Sequence, residues 1–217
     1  MTTKAQIHIV DDDASLRTAL IRLLGAAGFD AVGYASTGDY LLSRPESRHG
    51  CLLLDVRLPA GPSGLDLHAA LRELGADLPV VFMTGHADVP TCLRAMKAGA
   101  VDFLEKPIKA ETLLEAVRRA LALDLQRRTE RTQEESLSNR YGSLSPRERQ
   151  VFDGVIAGKL NKQIADELGV AERTVKAQRA HMMEKLGVGS SAELGRLAER
   201  LMRIRDIRGL QSEANSP

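Results

Sequence analysis

The chain has 217 residues, 43% of them hydrophobic and 27% charged, with a formal net charge of +1; this composition describes one or two ordinary globular domains and excludes disordered and collagen-like chains. No apolar run approaches the roughly 18 residues of a membrane span, and Met1-Thr2-Thr3-Lys4 leads into too few apolar positions for a signal peptide, so a cytoplasmic protein with no membrane partner is expected. The charge is divided unevenly: residues 1–125 carry net −3, residues 126–142 net +1 and residues 143–217 net +3, an asymmetry that permits a polyanionic partner for the last third without requiring one.

Four short apolar runs punctuate the first half: Ile7-His8-Ile9-Val10, Cys51-Leu52-Leu53-Leu54, Pro79-Val80-Val81-Phe82-Met83 and Val101-Asp102-Phe103-Leu104. Each is too short for a helix and ends in polar or turn residues, which predicts buried strands of a parallel sheet. A weaker strand is expected at Ala31-Val32-Gly33-Tyr34. Between them Leu16, Leu20, Leu23 and Leu24 fall on one helical stripe, and Leu65, Leu67 and Leu71 mark another helix. The repeated strand-helix order, with right-handed crossovers, predicts an α/β fold over residues 1–125: a five-stranded parallel doubly wound sheet. Its ligand sites belong beyond the carboxyl ends of the strands. Cys51 and Cys92 lie in apolar surroundings without a CxxC pairing and are expected as reduced thiols, not as a disulfide or a metal site.

From Glu111 the pattern Leu113, Leu114, Val117, Leu121 predicts a packed helix. It continues into a stretch, Gln126 to Glu135, that is polar on every face, so residues 126–142 are expected as a helical linker, either rigid or hinged. Residues 143–208 then predict an all-α domain of four helices. Leu144-Ser145-Pro146-Arg147-Glu148 supplies a staple leucine, an N-cap serine, proline at the first helical position and glutamate for a capping box. This first helix should stop at Gly158, a second should run from Asn161 to Leu168 before Gly169, a third from Glu172 to Leu186 before Gly187, and a fourth over roughly Ser191 to Ile204. Residues 209–217 are expected as a flexible tail.

The chemistry concentrates after the strands. Asp11, Asp12 and Asp13 follow the first, and Asp55 ends the third; if those strands are neighbours, the carboxylates converge and repel unless a cation neutralises them. Carboxylates with water suit Mg²⁺, which keeps positions open for a phosphoryl oxygen. Thr84 ends the fourth strand and Lys106 follows the fifth, placing a hydroxyl and an ammonium at the same edge, as an acyl-phosphate would need. Singly these are an N-cap, a β-former and a solvated lysine; their joint placement at four strand ends is the signal.

Val10-Asp11-Asp12-Asp13, Leu54-Asp55-Val56-Arg57-Leu58-Pro59, Met83-Thr84-Gly85-His86-Ala87 and Phe103-Leu104-Glu105-Lys106-Pro107 resemble, in order, the receiver domain of two-component response regulators. The resemblance implies Asp55 as phosphoacceptor, Asp11, Asp12 and Asp55 with the backbone carbonyl of Arg57 as Mg²⁺ ligands, and Thr84 and Lys106 as phosphoryl contacts. It implies Asp13 as a helix cap, and Thr84 with Phe103 as switch residues, Phe103 standing where an aromatic rotates inward. Phe103 also reads as a plain core residue. Arg57 and His86 flank the expected path of attacking water and are candidates for setting the phosphoryl lifetime. Thr91, Arg94 and Ala95 on the fourth helix are candidate dimer contacts by resemblance.

In the last third, Asn161-Lys162-Gln163-Ile164-Ala165-Asp166-Glu167-Leu168, a Gly169-Val170 turn and Ala171-Glu172-Arg173-Thr174-Val175-Lys176 give the helix-turn-helix layout, whose second helix enters the major groove. At 100° per residue, Val175, Met182 and Leu186 share an inward stripe, with Arg173, Lys176, Ala177, Ala180 and Glu184 opposite. These segments, with Leu144-Ser145-Pro146-Arg147-Glu148 and His181-Met182-Met183-Glu184-Lys185-Leu186, resemble the LuxR-type DNA-binding domain; behind a receiver they give the architecture of the NarL/FixJ subfamily. Ala171 departs from the hydroxyl or carboxylate N-cap common there. Lys176, Ala177 and Ala180 are the candidate base-edge contacts. Lys162, Arg173, Thr174 and Arg179 are candidates for phosphate contacts, with Arg179 equally readable as a structural arginine.

The expected function is therefore a phosphorylation-switched transcription regulator and not an enzyme. Its implied partners are a sensor histidine kinase, double-stranded promoter DNA and a second copy on phosphorylation, with RNA polymerase as a further candidate. Two rivals use the same residues differently. A phosphohydrolase with an aspartyl nucleophile would need a substrate cap, for which the short connections leave no room, and an adaptor would use the helical domain to bind protein.

Overall fold

A computed structural model describes residues 5–43, 49–59, 61–76, 78–86 and 88–214, with only the backbone of the last helix beyond residue 204. The chain forms two compact units that divide between Arg128 and Thr129. The first begins with β1 (Gln6–Val10), α1 (Ala14–Ala26), β2 (Asp30–Tyr34), α2 (Thr37–Ser43) and β3 (Gly50–Asp55). It continues with α3 (Gly64–Glu73), β4 (Val80–Thr84), α4 (Val89–Lys97), β5 (Asp102–Glu105) and the start of α5 (Ala110–Gly142). All strand pairs are parallel, in the order β2-β1-β3-β4-β5. β1, β3, β4 and β5 coincide with the four apolar runs and β2 with the weaker one; the central strands β1, β3 and β4 are covered on both faces, have no solvent side and need no polar alternation.

Period-two geometry sorts each strand between two cores. Ile7, Ile9, Cys51, Leu53, Val81, Met83 and Leu104 pack with Leu20 and Leu24 of α1 and with Leu113, Ala116, Val117 and Ala120 of α5. Val10, Leu52, Leu54, Val80 and Phe82 pack with Tyr40 of α2, Leu67 of α3 and Ala95 of α4. Chain order reverses between β1 and β3, so the crevice at their carboxyl ends is the switch point where such sheets bind ligands.

The second unit holds α6 (Pro146–Ile156), α7 (Asn161–Leu168), α8 (Glu172–Leu186) and α9 (Ser191–Ala214). The capping box at Ser145 is formed both ways: Glu148 N–H donates to Ser145 Oγ at 3.2 Å, and Ser145 N–H donates to Glu148 Oε2 at 2.7 Å. At the end of α7, Gly169 has φ 64°, a left-handed conformation that a Cβ would strain, and this sets the turn into α8.

Two boundaries differ from expectation. The expected linker 126–142 is not a bare spacer at its far end: beyond the polar stretch Gln126 to Glu135, Leu137 is 2% exposed and, with Tyr141 one turn later, packs in the helical core beside Leu144, Phe152, Met182 and Leu186. The last helix does not stop near Ile204 but runs to Ala214, so residues 209–214 of the expected flexible tail are helical. No proline lies between Ile204 and Ala214, so the backbone hydrogen bonding of the helix is not interrupted there. Residues 215–217 of that tail lie outside the described residues.

Candidate functional site

Asp11 follows β1 fully buried and Asp55 ends β3 at 5% exposure, while Asp12 faces solvent. Carboxylate oxygens of Asp11, Asp12 and Asp55 lie within 4.8 Å of one another, a spacing that can hold a divalent cation. The neighbouring strands β1 and β3 bring them together. Gly64 allows the approach from above, since a Cβ there would lie 2.1 Å from the Asp55 carbonyl oxygen. Lys106 bridges two of the acids, its Nζ donating to Asp11 Oδ2 at 2.6 Å and to Asp55 Oδ2 at 2.5 Å. Its backbone N–H is anchored on the Thr84 carbonyl at 2.7 Å, tying the lysine to the end of β4.

The remaining oxygens are engaged from the backbone. Asp55 Oδ1 accepts from Arg57 N–H at 2.9 Å, and Asp11 Oδ1 accepts from Asp13 N–H at 3.0 Å. Burial pushes the Asp11 carboxyl above the usual carboxylate range, although the hydrogen bond from Lys106 opposes it. Burial acts to lower the Lys106 ammonium, but its hydrogen bonds to Asp11 and Asp55 prevail and raise it. The cluster thus holds surplus negative charge in a poorly solvated place, and among the described residues Lys106 is the one counter-charge at bonding distance.

Thr84 is fully buried, its hydroxyl donating to the His86 carbonyl at 3.1 Å. Phe103 is half-buried against the α2–α4 core, neither free in solvent nor enclosed. Asp13 caps α1, accepting from Ser15 N–H at 2.8 Å and Leu16 N–H at 3.1 Å, which accounts for its carboxylate without a metal.

Two of the three dimer candidates on α4 do not face outward: Thr91 and Ala95 are buried, at 8% and 0% exposure, while Arg94 is exposed and donates to Thr91 Oγ1. Periodicity could group α4 residues by face but could not say which face meets the sheet. The exposed apolar face is instead Val89, Leu93 and Met96, at 73%, 53% and 45% exposure. Their i, i+4, i+7 spacing was the available signal, and it looks the same as a core stripe.

On α8, Val175, Met182 and Leu186 are buried, and Arg173, Lys176, Ala177 and Ala180 are exposed on the other side. Lys162 of α7 is also exposed and Thr174 is half-buried. Ala171 provides no side-chain cap to α8. Arg179 does not project freely as a phosphate contact: it donates to Asn161 Oδ1 at 2.9 Å and to Ser191 Oγ at 2.7 Å, linking the first residues of α7 and α9. Its angle near the inward stripe places the guanidinium within reach of both.

A doubly wound domain with an acid cluster at its switch point, followed by a helix-turn-helix domain, defines a receiver-type regulator. The receiver-domain family of response regulators matches residues 7–118, and the luxR family of bacterial regulatory proteins matches residues 142–198. Nodulation protein W of Bradyrhizobium diazoefficiens is 44% identical over 200 residues, covering 92% of this chain and 88% of that protein. The transcriptional regulatory protein FixJ of the same organism is 40% identical over 206 residues, covering 95% and 100%. The solved structure of the response regulator StyR is similar with a TM-score of 0.83 at 43% identity, covering 91% of this chain and all of that one. The chain belongs to the two-component response regulators of the NarL/FixJ type, with a receiver domain and a LuxR-type DNA-binding domain, both regulatory and not catalytic families. Among the described residues no helix is long and apolar enough to cross a membrane.

Proposed function

We propose that Asp55 accepts a phosphoryl group from a sensor histidine kinase and that this switches dimerisation and promoter binding, in the cytoplasm where the DNA partner lies. The supporting observation is the nearly buried Asp55 carboxylate held with Asp11 by a single lysine. Asp11, Asp12, Asp55 and the Arg57 carbonyl are the proposed Mg²⁺ ligands. When bound, the ion neutralises the carboxylates and a phosphoryl oxygen.

Lys106 exchanges its bond to Asp55 Oδ2 for a phosphoryl oxygen, and the Thr84 hydroxyl leaves the His86 carbonyl to donate to another. That rotation vacates space beside Phe103, whose half-buried ring moves inward. The altered surface favours pairing of two copies through the exposed Val89, Leu93 and Met96 face of α4. A pair engages two half-sites, with Lys176, Ala177 and Ala180 at base edges and Lys162, Arg173 and Thr174 at phosphates; Arg179 serves as a brace. Residues 1–125, 126–142 and 143–208 act as receiver, linker and DNA-binding domain, with RNA polymerase as a downstream partner. Incubation with a small-molecule phosphodonor and magnesium should add one phosphoryl mass at Asp55 and none in Asp55→Asn. Addition at another residue, or none, overturns the reading.

A further inference from the structure

On the recognition helix α8 the carboxylate of Glu172 lies 3.0 Å from the ammonium of Lys176, with both side chains largely in solvent, at 44% and 62% exposure. Glu172 is the first residue of α8, and Lys176 lies one turn later on the face that carries Arg173, Ala177 and Ala180. In helix-turn-helix proteins the N-terminal residues of the second helix meet the base edges, and the two alanines leave nothing bulky to hold the backbone away. Building on the proposed DNA-binding role, a carboxylate is thereby carried into the groove of a polyanion. Were Glu172 only a partner for Lys176, the lysine's move to a base would strand that carboxylate, partly desolvated, among phosphates.

We propose that Glu172 is a specificity-determining residue: its carboxylate accepts a hydrogen bond from the exocyclic amino group of a cytosine while Lys176 donates to O6 and N7 of a guanine in a neighbouring base pair. Cytosine suits it because its major-groove edge offers an amino donor alone. Adenine sets the N7 acceptor beside its amino group, where it repels the second carboxylate oxygen; guanine and thymine present acceptors only. Glu172 thus makes the interface reject DNA lacking the cytosine, weakening non-specific binding while sharpening the choice of site. The i, i+4 pairing keeps the two side chains side by side in free protein, so neither has to be ordered from scratch on binding.

The test is selection of sites from randomised double-stranded DNA by the full-length chain, phosphorylated beforehand with a small-molecule phosphodonor and Mg²⁺ and checked by its added mass, in wild-type form and as Glu172→Ala, Glu172→Gln and Lys176→Ala. Thermal unfolding of each variant checks the fold. Wild type should enrich a half-site with a fixed cytosine beside a fixed guanine. Glu172→Ala should reduce the cytosine preference by about tenfold, keep the guanine, and bind random DNA more tightly. Glu172→Gln should shift the same position toward adenine, whose amino group and N7 match a carboxamide. If both variants select the wild-type motif, Glu172 serves only helix stability and the inference is overturned. If wild type enriches no motif at all, the DNA-binding reading itself falls and this inference with it. Loss of the guanine alone in Lys176→Ala supports the division of labour between the two residues.

Discussion

The acid cluster of the receiver and the recognition face of α8 hold their charges under opposite conditions. Asp11 and Thr84 are fully buried, Asp55 nearly so, and one ammonium is shared between two carboxylates at 2.5 and 2.6 Å. On α8, Arg173 and Lys176 stand in solvent, and among the described residues Lys176 is tied only to Glu172, its i, i+4 neighbour, at 3.0 Å. Buried charges that share a partner respond as a unit, so removing one member leaves the others uncompensated. Exposed charges act separately, weakly and in proportion to salt. The receiver is therefore built to change state when one charge is added, and the DNA-binding surface to sum many small contributions.

The largest expected effect breaks the shared lysine. Lys106→Met leaves Asp11 and Asp55 facing each other without a counter-charge, and a loss of about 2–3 kcal/mol is expected, below the full figure for a buried pair because Lys106 is partly open to water. Millimolar Mg²⁺ should recover most of the loss, since a cation among Asp11, Asp12 and Asp55 replaces the missing charge. Urea denaturation with and without the ion measures both. A variant whose deficit ignores Mg²⁺ would show that these acids do not act as one cluster.

Next in size is Arg179, which tests whether a charge on α8 can be structural. Arg179→Ala removes hydrogen bonds to Asn161 and Ser191, and the second unit should lose about 1–2 kcal/mol. Binding to specific and random DNA should fall by the same factor, because the helix pair loosens as a whole. Arg179→Lys should not restore it, since a single ammonium cannot span the two acceptors as a planar fork does. A loss confined to DNA affinity, with an unchanged unfolding midpoint, would return Arg179 to the phosphate-contacting set.

Glu148 lies between the two extremes: it is 6% exposed, bonded to the Ser145 N–H, and paired with Lys185 at 2.7 Å. The hydrogen bond from Lys185, then that from Ser145, hold its carboxyl below the usual range. A depressed folded-state value means that its contribution is complete above the unfolded-state value near 4.5 and fades as pH falls through the lower folded one. Glu148→Gln should therefore cost about 1 kcal/mol at neutral pH and progressively less below pH of about 4. Thermal melts across pH measure the convergence; parallel curves for the two proteins would exclude Glu148 as its source.

The same contrast explains what could be read in advance. The strands were legible because burial on both faces writes an uninterrupted apolar run, and their ends located Asp11, Asp55, Thr84 and Lys106 with no knowledge of side-chain packing. Ser145 with Glu148, and Gly169, were legible because capping and left-handed turns need particular residue types at particular positions. The orientation of α4 was not, because Val89-Leu93-Met96 and Thr91-Ala95 are both plausible inward faces, and only packing against the sheet chooses. Leu137 and Tyr141 were hidden for a related reason: two apolar residues one turn apart do not make a stripe until another core is placed beside them. Arg179 fails similarly, since an angle on a helical wheel does not reveal that Asn161 and Ser191 wait within reach.

The smallest effect belongs to an exposed charge. Arg173 lies at the start of α8 with no side-chain bond among the described residues, so removing it leaves the fold intact and takes away one cation from the surface facing DNA. If that cation meets a phosphate, Arg173→Ala weakens specific and random DNA alike and reduces the slope of log affinity against log salt by about 0.9. Lys162→Ala should do the same, and the two reductions should add, because separate phosphate contacts release separate counterions. A non-additive result would mean that the charges on the helix pair are coupled, as those around Asp55 are, and would erase the division between a surface that switches and a surface that sums.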